Sequence, residues 1–122
     1  MFFFVKFNMK LGTKIEDILK EKGHNVYSIS PDKTVYESLQ LMAEKEIGAL
    51  LVIDENGKIL GIFSERDYAR KCILQGRFSK ETKVSELMST KVYFASLDDK
   101  VEDVMAIMTE KKIRHLPVLE GE

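Results

Sequence analysis

The sequence predicts an α/β fold built from one β-α-β-β-α unit used twice, the second time incompletely. Three observations predict it. Residues 26–56 realign with residues 92–122 at a constant shift of 66 and without a gap. Matches include Val26/Val92, Tyr27/Tyr93, Ser30/Ser96, Asp32/Asp98, Val35/Val101, Met42/Met108, Ile47/Ile113, Leu50/Leu116 and Val52/Val118. Most are apolar positions with a local structural task, the signature of a duplicated unit. Within each copy, apolar residues at helical spacing give way to short runs suited to buried strands. Finally, the first copy continues through a hairpin and a further helix, whereas the second reaches Glu122 inside the equivalent turn.

The elements follow in order. Residues 1–10 read as an N-terminal extension, a frayed tail or an added edge strand. Ile15, Ile18 and Leu19 fit a short helix over Lys14–Lys22, ending near Gly23. Val26–Ile29 is β-prone, and Pro31 with Asp32 breaks it. Thr34 and Glu37 have capping-box spacing. Val35, Leu39, Met42 and Ala43 then predict an amphipathic helix over 35–46. Leu50–Ile53 is a buried-strand run, Asp54–Gly57 a turn and Ile59–Phe63 the returning strand. Ser64 opens a helix running through Asp67, Ala69, Cys72 and Ile73 towards Gly76. The first motif is thus 11–76, followed by a polar connector over 77–82 and a second, partial motif over 83–122. In the latter, Val84–Met88 is a lead-in helix and Val92–Ala95 a strand. Val101, Val104, Met105 and Met108 mark a helix face, and Ile113–Leu119 leads into a strand without a hairpin partner.

Bulk properties narrow the function. At 122 residues and 44% apolar, the chain suits one shared core. Its 19 basic and 20 acidic side chains lack the excess expected of a nucleic-acid binder. The single Cys72 cannot form an internal disulfide and fits a cytoplasmic location. The apolar start, Met1–Val5, is too short to span a bilayer and lacks a signal-peptide pattern, so no membrane partner is expected.

Ser64 and Asp67 are the sharpest chemical pair. At a helix start, free amides and the macrodipole favour an anion, and a carboxylate there can accept from both hydroxyls of a ribose. The same Ser-x-x-Asp spacing is equally a plain capping box, and the two roles can coexist. Arg66, Arg114 and His115 are candidate cations, each with a surface-charge reading beside it. His24 and His115 are the only histidines, and neither has metal-ligand spacing to Cys or carboxylates. Cys72 has apolar neighbours and no activating partner. No phosphate-cradling glycine loop occurs. Met42, Met105 and Met108 read as core or dimer interface.

Tandem β-α-β-β-α units, with Gly61-Ile62-Phe63-Ser64-Glu65-Arg66-Asp67 closing one hairpin and Arg114-His115-Leu116-Pro117-Val118 in the other copy, resemble the cystathionine-β-synthase (CBS) domain pair. The resemblance covers roughly residues 11–122. It implies a non-catalytic regulatory module that binds an adenosine-containing nucleotide, AMP, ADP, ATP or NAD, with S-adenosylmethionine as a further option. The ligand would lie in the cleft between motifs. Ser64 and Asp67 would take ribose and phosphate, Arg66, Arg114 and His115 the phosphates, and Ile47, Gly48 and Ala49 the adenine. It also implies dimerisation through helix faces and an unidentified effector protein. Independently, the unpaired edge and uncovered apolar face of the second copy predict a homodimer or higher assembly that covers the open half, with Phe2–Phe7 as a candidate contributor. The rival reading is a dimerisation or interaction scaffold whose nucleotide site is vestigial. An enzyme such as IMP dehydrogenase, which carries a CBS pair in a catalytic barrel, is disfavoured because no barrel sequence is present.

Overall fold

A computed structural model describes residues 2–3, 14–15 and 27–119. Its elements are β1 (Phe2–Phe3), β2 (Ser28–Ile29), α1 (Val35–Lys45), β3 (Ala49–Ile53), β4 (Ile59–Ser64), α2 (Glu65–Asp67) with a π-helical continuation (Tyr68–Ile73), α3 (Val84–Leu87), β5 (Ala95–Ser96), α4 (Val101–Lys111) and β6 (Leu116–Leu119). These form two compact units. The first is residues 27–92; the second joins 2–3 and 14–15 to 93–119.

In the first unit the sheet order is β2-β3-β4, with β2 parallel and β4 antiparallel to β3. Thr34 caps α1 as expected. Its Oγ1 accepts from the Glu37 N–H at 3.1 Å, and Glu37 accepts from the Thr34 N–H at 3.3 Å. That backbone bond holds the Glu37 carboxyl below its ordinary range. Glu46 stops the helix in a left-handed conformation, φ 55°. Val35, Met42, Leu50, Val52, Phe63 and Cys72 fill the core with Val84 and Leu87 from α3. Full burial of a side chain such as Phe63 contributes about 1.5–3 kcal/mol. The hairpin turns at Gly57, φ 83°, with Asp54 Oδ1 accepting from the Asn56 and Lys58 amides.

The second unit has sheet order β1-β6-β5. Its core gathers Ala95, Val101, Val104, Met108, Leu116 and Val118 around Ile15. Lys112, at φ 56°, stops α4 as Glu46 stops α1, at the shift of 66 seen in sequence. Each unit therefore takes a lead-in residue from the other repeat. The Val84 N–H donates to the Lys33 carbonyl at 2.8 Å, and the Ile15 N–H to the equivalent Asp99 carbonyl at 2.9 Å.

Four expectations need correction. In place of one shared core, the described residues form two buried apolar clusters, one in each unit, because each sheet buries the apolar face of its own helix. The helix after Ser64 is only briefly α-helical. From Tyr68 its bonds skip five residues, as from the Leu74 N–H to the Ala69 carbonyl at 3.1 Å, and helix propensity carries no signal for that widening. The second β stretch is Ala95–Ser96 rather than Val92–Ala95, because pairing exists only where β6 lies alongside, Ala95 to Val118 and Ser96 to Leu119. The strand ending at Leu119 also has a hairpin-side partner: β1 pairs Phe2 with Pro117 and Phe3 with Leu116. Those positions correspond to Ile62 opposite Leu51 and Phe63 opposite Leu50 in the first unit. The expected Lys14–Lys22 helix lies outside the described residues apart from Lys14 and Ile15, as does the rest of the N-terminal extension beyond Phe2 and Phe3.

Gly61 shows how tightly the first unit is closed. Ser89 joins the free edge of β4: the Ile62 N–H donates to the Ser89 carbonyl at 2.9 Å, and the Ser89 N–H to the Ile62 carbonyl at 2.8 Å. A Cβ at position 61 would stand 2.7 Å from that Ser89 oxygen and 2.9 Å from Met88 Sδ. Gly61→Ala should therefore destabilise the protein by about 1–3 kcal/mol, the usual cost of overpacking, measured by urea unfolding; a midpoint equal to the parent's would refute the close approach.

Candidate functional site

The end of the β3–β4 hairpin brings six of the eight candidates together in the first unit. Ala49 pairs directly with Ser64 across the sheet, and the Glu65 N–H donates to the Gly48 carbonyl at 3.0 Å. The Ile47 N–H returns to the Met42 carbonyl at 3.0 Å, closing α1 immediately before the strand. Ile47 and Gly48 are half-buried and Ala49 is buried, so this ledge belongs partly to the core. Arg66 and Asp67, both half-buried, follow Ser64 on the first helical turn.

The capping box at Ser64 is complete. Ser64 Oγ accepts from the Asp67 N–H at 3.2 Å. Asp67 Oδ2 accepts from the Ser64 N–H at 3.0 Å and from its hydroxyl at 3.1 Å. The other carboxylate oxygen, Oδ1, accepts from Ser89 Oγ at 3.2 Å and pairs with Lys71 Nζ at 3.1 Å. Lys71 also donates to the Leu87 carbonyl at 3.1 Å and to Ser89 Oγ at 3.3 Å. Lys71 and Ser89 escaped the sequence reading. Lys71 lies one turn beyond Asp67 and was legible as an i,i+4 ion pair; Ser89 is 22 residues away and had no local signal.

Arg114 and His115 precede β6 in the second unit, Arg114 exposed and His115 half-buried. Burial, and then the adjacent Arg114 charge, push the His115 pKa below its ordinary 6.5. Taken alone, His115 is a neutral donor and acceptor at neutral pH, which leaves Arg66 and Arg114 as the permanent cations of the set. Among the described residues, no group of three or more His, Cys, Asp or Glu side chains is placed to hold a metal ion. No described helix is long and apolar enough to cross a membrane.

Comparison with known proteins bears directly on these elements. The family model described as "CBS domain" matches residues 15–73 and again 84–122. The chain is 39% identical over 115 residues to the CBS domain-containing protein CBSX3, mitochondrial, of Arabidopsis thaliana, covering 88% of this chain and 56% of that protein. It spans between 12% and 66% of the length of the first curated relatives it matches. A solved CBS-domain protein from Burkholderia ambifaria MC40-6 superposes with a TM-score of 0.84 at 47% identity, covering 89% of this chain and 82% of that one. The CBS domain pair of protein MJ0100, solved in complex with 5-methylthioadenosine and S-adenosyl-L-methionine, superposes with a TM-score of 0.77 at 26% identity, covering 89% and 82%.

The His115 environment gives a pH test. Its neutral form is favoured by folding, so between the lowered folded pKa and about 6.5 the unfolded chain binds more protons. Stability from this group is full above about pH 6.5 and declines as the pH falls through that value. His115→Gln should flatten the decline, seen as a smaller difference in urea midpoint between pH 7.5 and pH 5.5; an unchanged difference would show that His115 is not responsible.

Proposed function

The chain belongs to the CBS domain family, and from that membership we propose that it is a non-catalytic regulatory module that binds an adenosine-containing nucleotide. AMP, ADP, ATP and NAD are the leading ligands, with S-adenosylmethionine beside them. The observation that carries the reading is the placement of Ser64 and Asp67 where β4 enters its helix, next to the Ile47–Ala49 ledge. The MJ0100 complex with two adenosine-bearing ligands supports the chemical class. In this reading Asp67 accepts the ribose hydroxyls, Ser64 reaches ribose or phosphate, and Ile47, Gly48 and Ala49 receive adenine. Arg66 and Arg114 attract phosphate, with His115 as a hydrogen-bonding neighbour. Occupancy then alters affinity for an effector protein. The lone thiol of Cys72, buried in the core, suits a reducing compartment such as the cytoplasm.

The alternative is a dimerisation or interaction scaffold with a vestigial site. Two observations favour it: Asp67 already has donors on both oxygens, and Ile73, Leu74 and Phe78 are 55%, 76% and 71% exposed. Exposed apolar side chains of this kind suit a homodimer contact. Titration separates the two readings.

Asp67→Ala, verified as folded, should weaken adenosine or AMP binding by about 1.5–3 kcal/mol in calorimetry, the range for hydrogen bonds to a charged group; equal affinity would remove Asp67 from the site. AMP should bind more tightly than adenosine, with added salt narrowing the gap through screening. Equal affinities for the two would take Arg66 and Arg114 off the phosphate.

A further inference from the structure

Asp67 is saturated by its own protein. An ionised carboxylate offers about four lone-pair positions, and four donors approach within 3.2 Å: the Ser64 N–H, Ser64 Oγ, Ser89 Oγ and Lys71 Nζ. The Asp67 side chain is only 13% exposed, so water does little of this work. The two donors on Oδ2 belong to the helix cap. The two on Oδ1 do not: they come from Lys71, a turn away, and from Ser89 on the strand-like segment beside β4. Lys71 directs its three donors to Asp67 Oδ1, the Leu87 carbonyl and Ser89 Oγ. The Ser89 backbone is held independently by its two bonds to Ile62.

We infer that Ser89 and Lys71 form an autoinhibitory clasp on Asp67, occupying the carboxylate oxygen that a vicinal diol needs, so that a ribose competes with the protein's own donors. The inference rests on the nucleotide reading above and adds a control to that site. Because Ile62 fixes the Ser89 backbone, release requires that the hydroxyl rotate away and that Lys71 give up its bond to Oδ1. Lys71 can then keep the Leu87 carbonyl and Ser89 Oγ. The clasp therefore sets the ligand concentration at which Asp67 is captured, without closing the site permanently. It acts on the diol alone and is indifferent to the base.

Calorimetry with adenosine and with the dideoxy analogue lacking both ribose hydroxyls tests this on the full chain. Ser89→Ala should tighten adenosine by roughly 3- to 10-fold, the equivalent of one net hydrogen bond, and leave the dideoxy analogue unchanged. Ser89→Thr, which keeps the hydroxyl, should retain the parent ratio. Lys71→Met, which removes the other donor from the same oxygen, should move the ratio in the direction of Ser89→Ala and serves as the second variant should that one not fold. A purely structural role would lower the melting temperature or weaken both probes together. Measurable adenosine binding with the same ratio in the parent, Ser89→Ala and Lys71→Met overturns the clasp alone. Absence of adenosine binding in the parent and every variant overturns the nucleotide reading, and the clasp with it.

Discussion

The backbone approach of Ser89 to β4 is the constraint on which the candidate site depends. It is possible only because residue 61 carries no Cβ, and it places two hydrogen bonds between Ile62 and Ser89. Those bonds put the Ser89 hydroxyl within reach of Asp67 and the Leu87 carbonyl within reach of Lys71. The same segment continues from α3, whose Val84 and Leu87 close the core beneath β4. Core packing, strand pairing and site polarity in the first unit are therefore one arrangement. A side chain at position 61 would disturb all three.

The duplication survives in physical detail more clearly than in residue identity. Both long helices end at a left-handed, non-glycine residue, Glu46 and Lys112. Both lysines one position earlier lie over a tyrosine ring, Lys45 over Tyr27 at 5.5 Å and Lys111 over Tyr93 at 5.4 Å. The parallel pair Ile29 with Val52 recurs as Ala95 with Val118. Helix entry has diverged: Thr34 caps α1 with its hydroxyl, whereas Lys100 supplies no side-chain cap to α4. The hairpin position is also filled differently, by β4 in one unit and by β1 in the other.

Much of the candidate site's geometry was legible because its members are close in sequence. Ser64 and Asp67 announce themselves by a three-residue spacing, and their capping geometry follows it. The nearness of Ala49 to Ser64 also follows once the Asp54–Gly57 turn sets the hairpin register. Ser89 was not legible, since its contact with Asp67 depends on a backbone approach made far away in sequence. Nor was the lowered His115 pKa, which comes first from burial, a property of the folded unit.

The sequence by itself determined the repeat, the helix starts, the turn residues and the α/β class, because each is written in local periodicity and capping chemistry. Tertiary structure decided the rest. It moved Ile15 and Val84 into cores formed largely by the other repeat, and it set β1 against β6. It widened the helix after Asp67 and filled both carboxylate oxygens with donors. The physical reason is common to all of these. Local pattern specifies which face of an element is apolar and where it ends, whereas the identity of its neighbour depends on which distant backbone and side chains best satisfy that face and its hydrogen bonds.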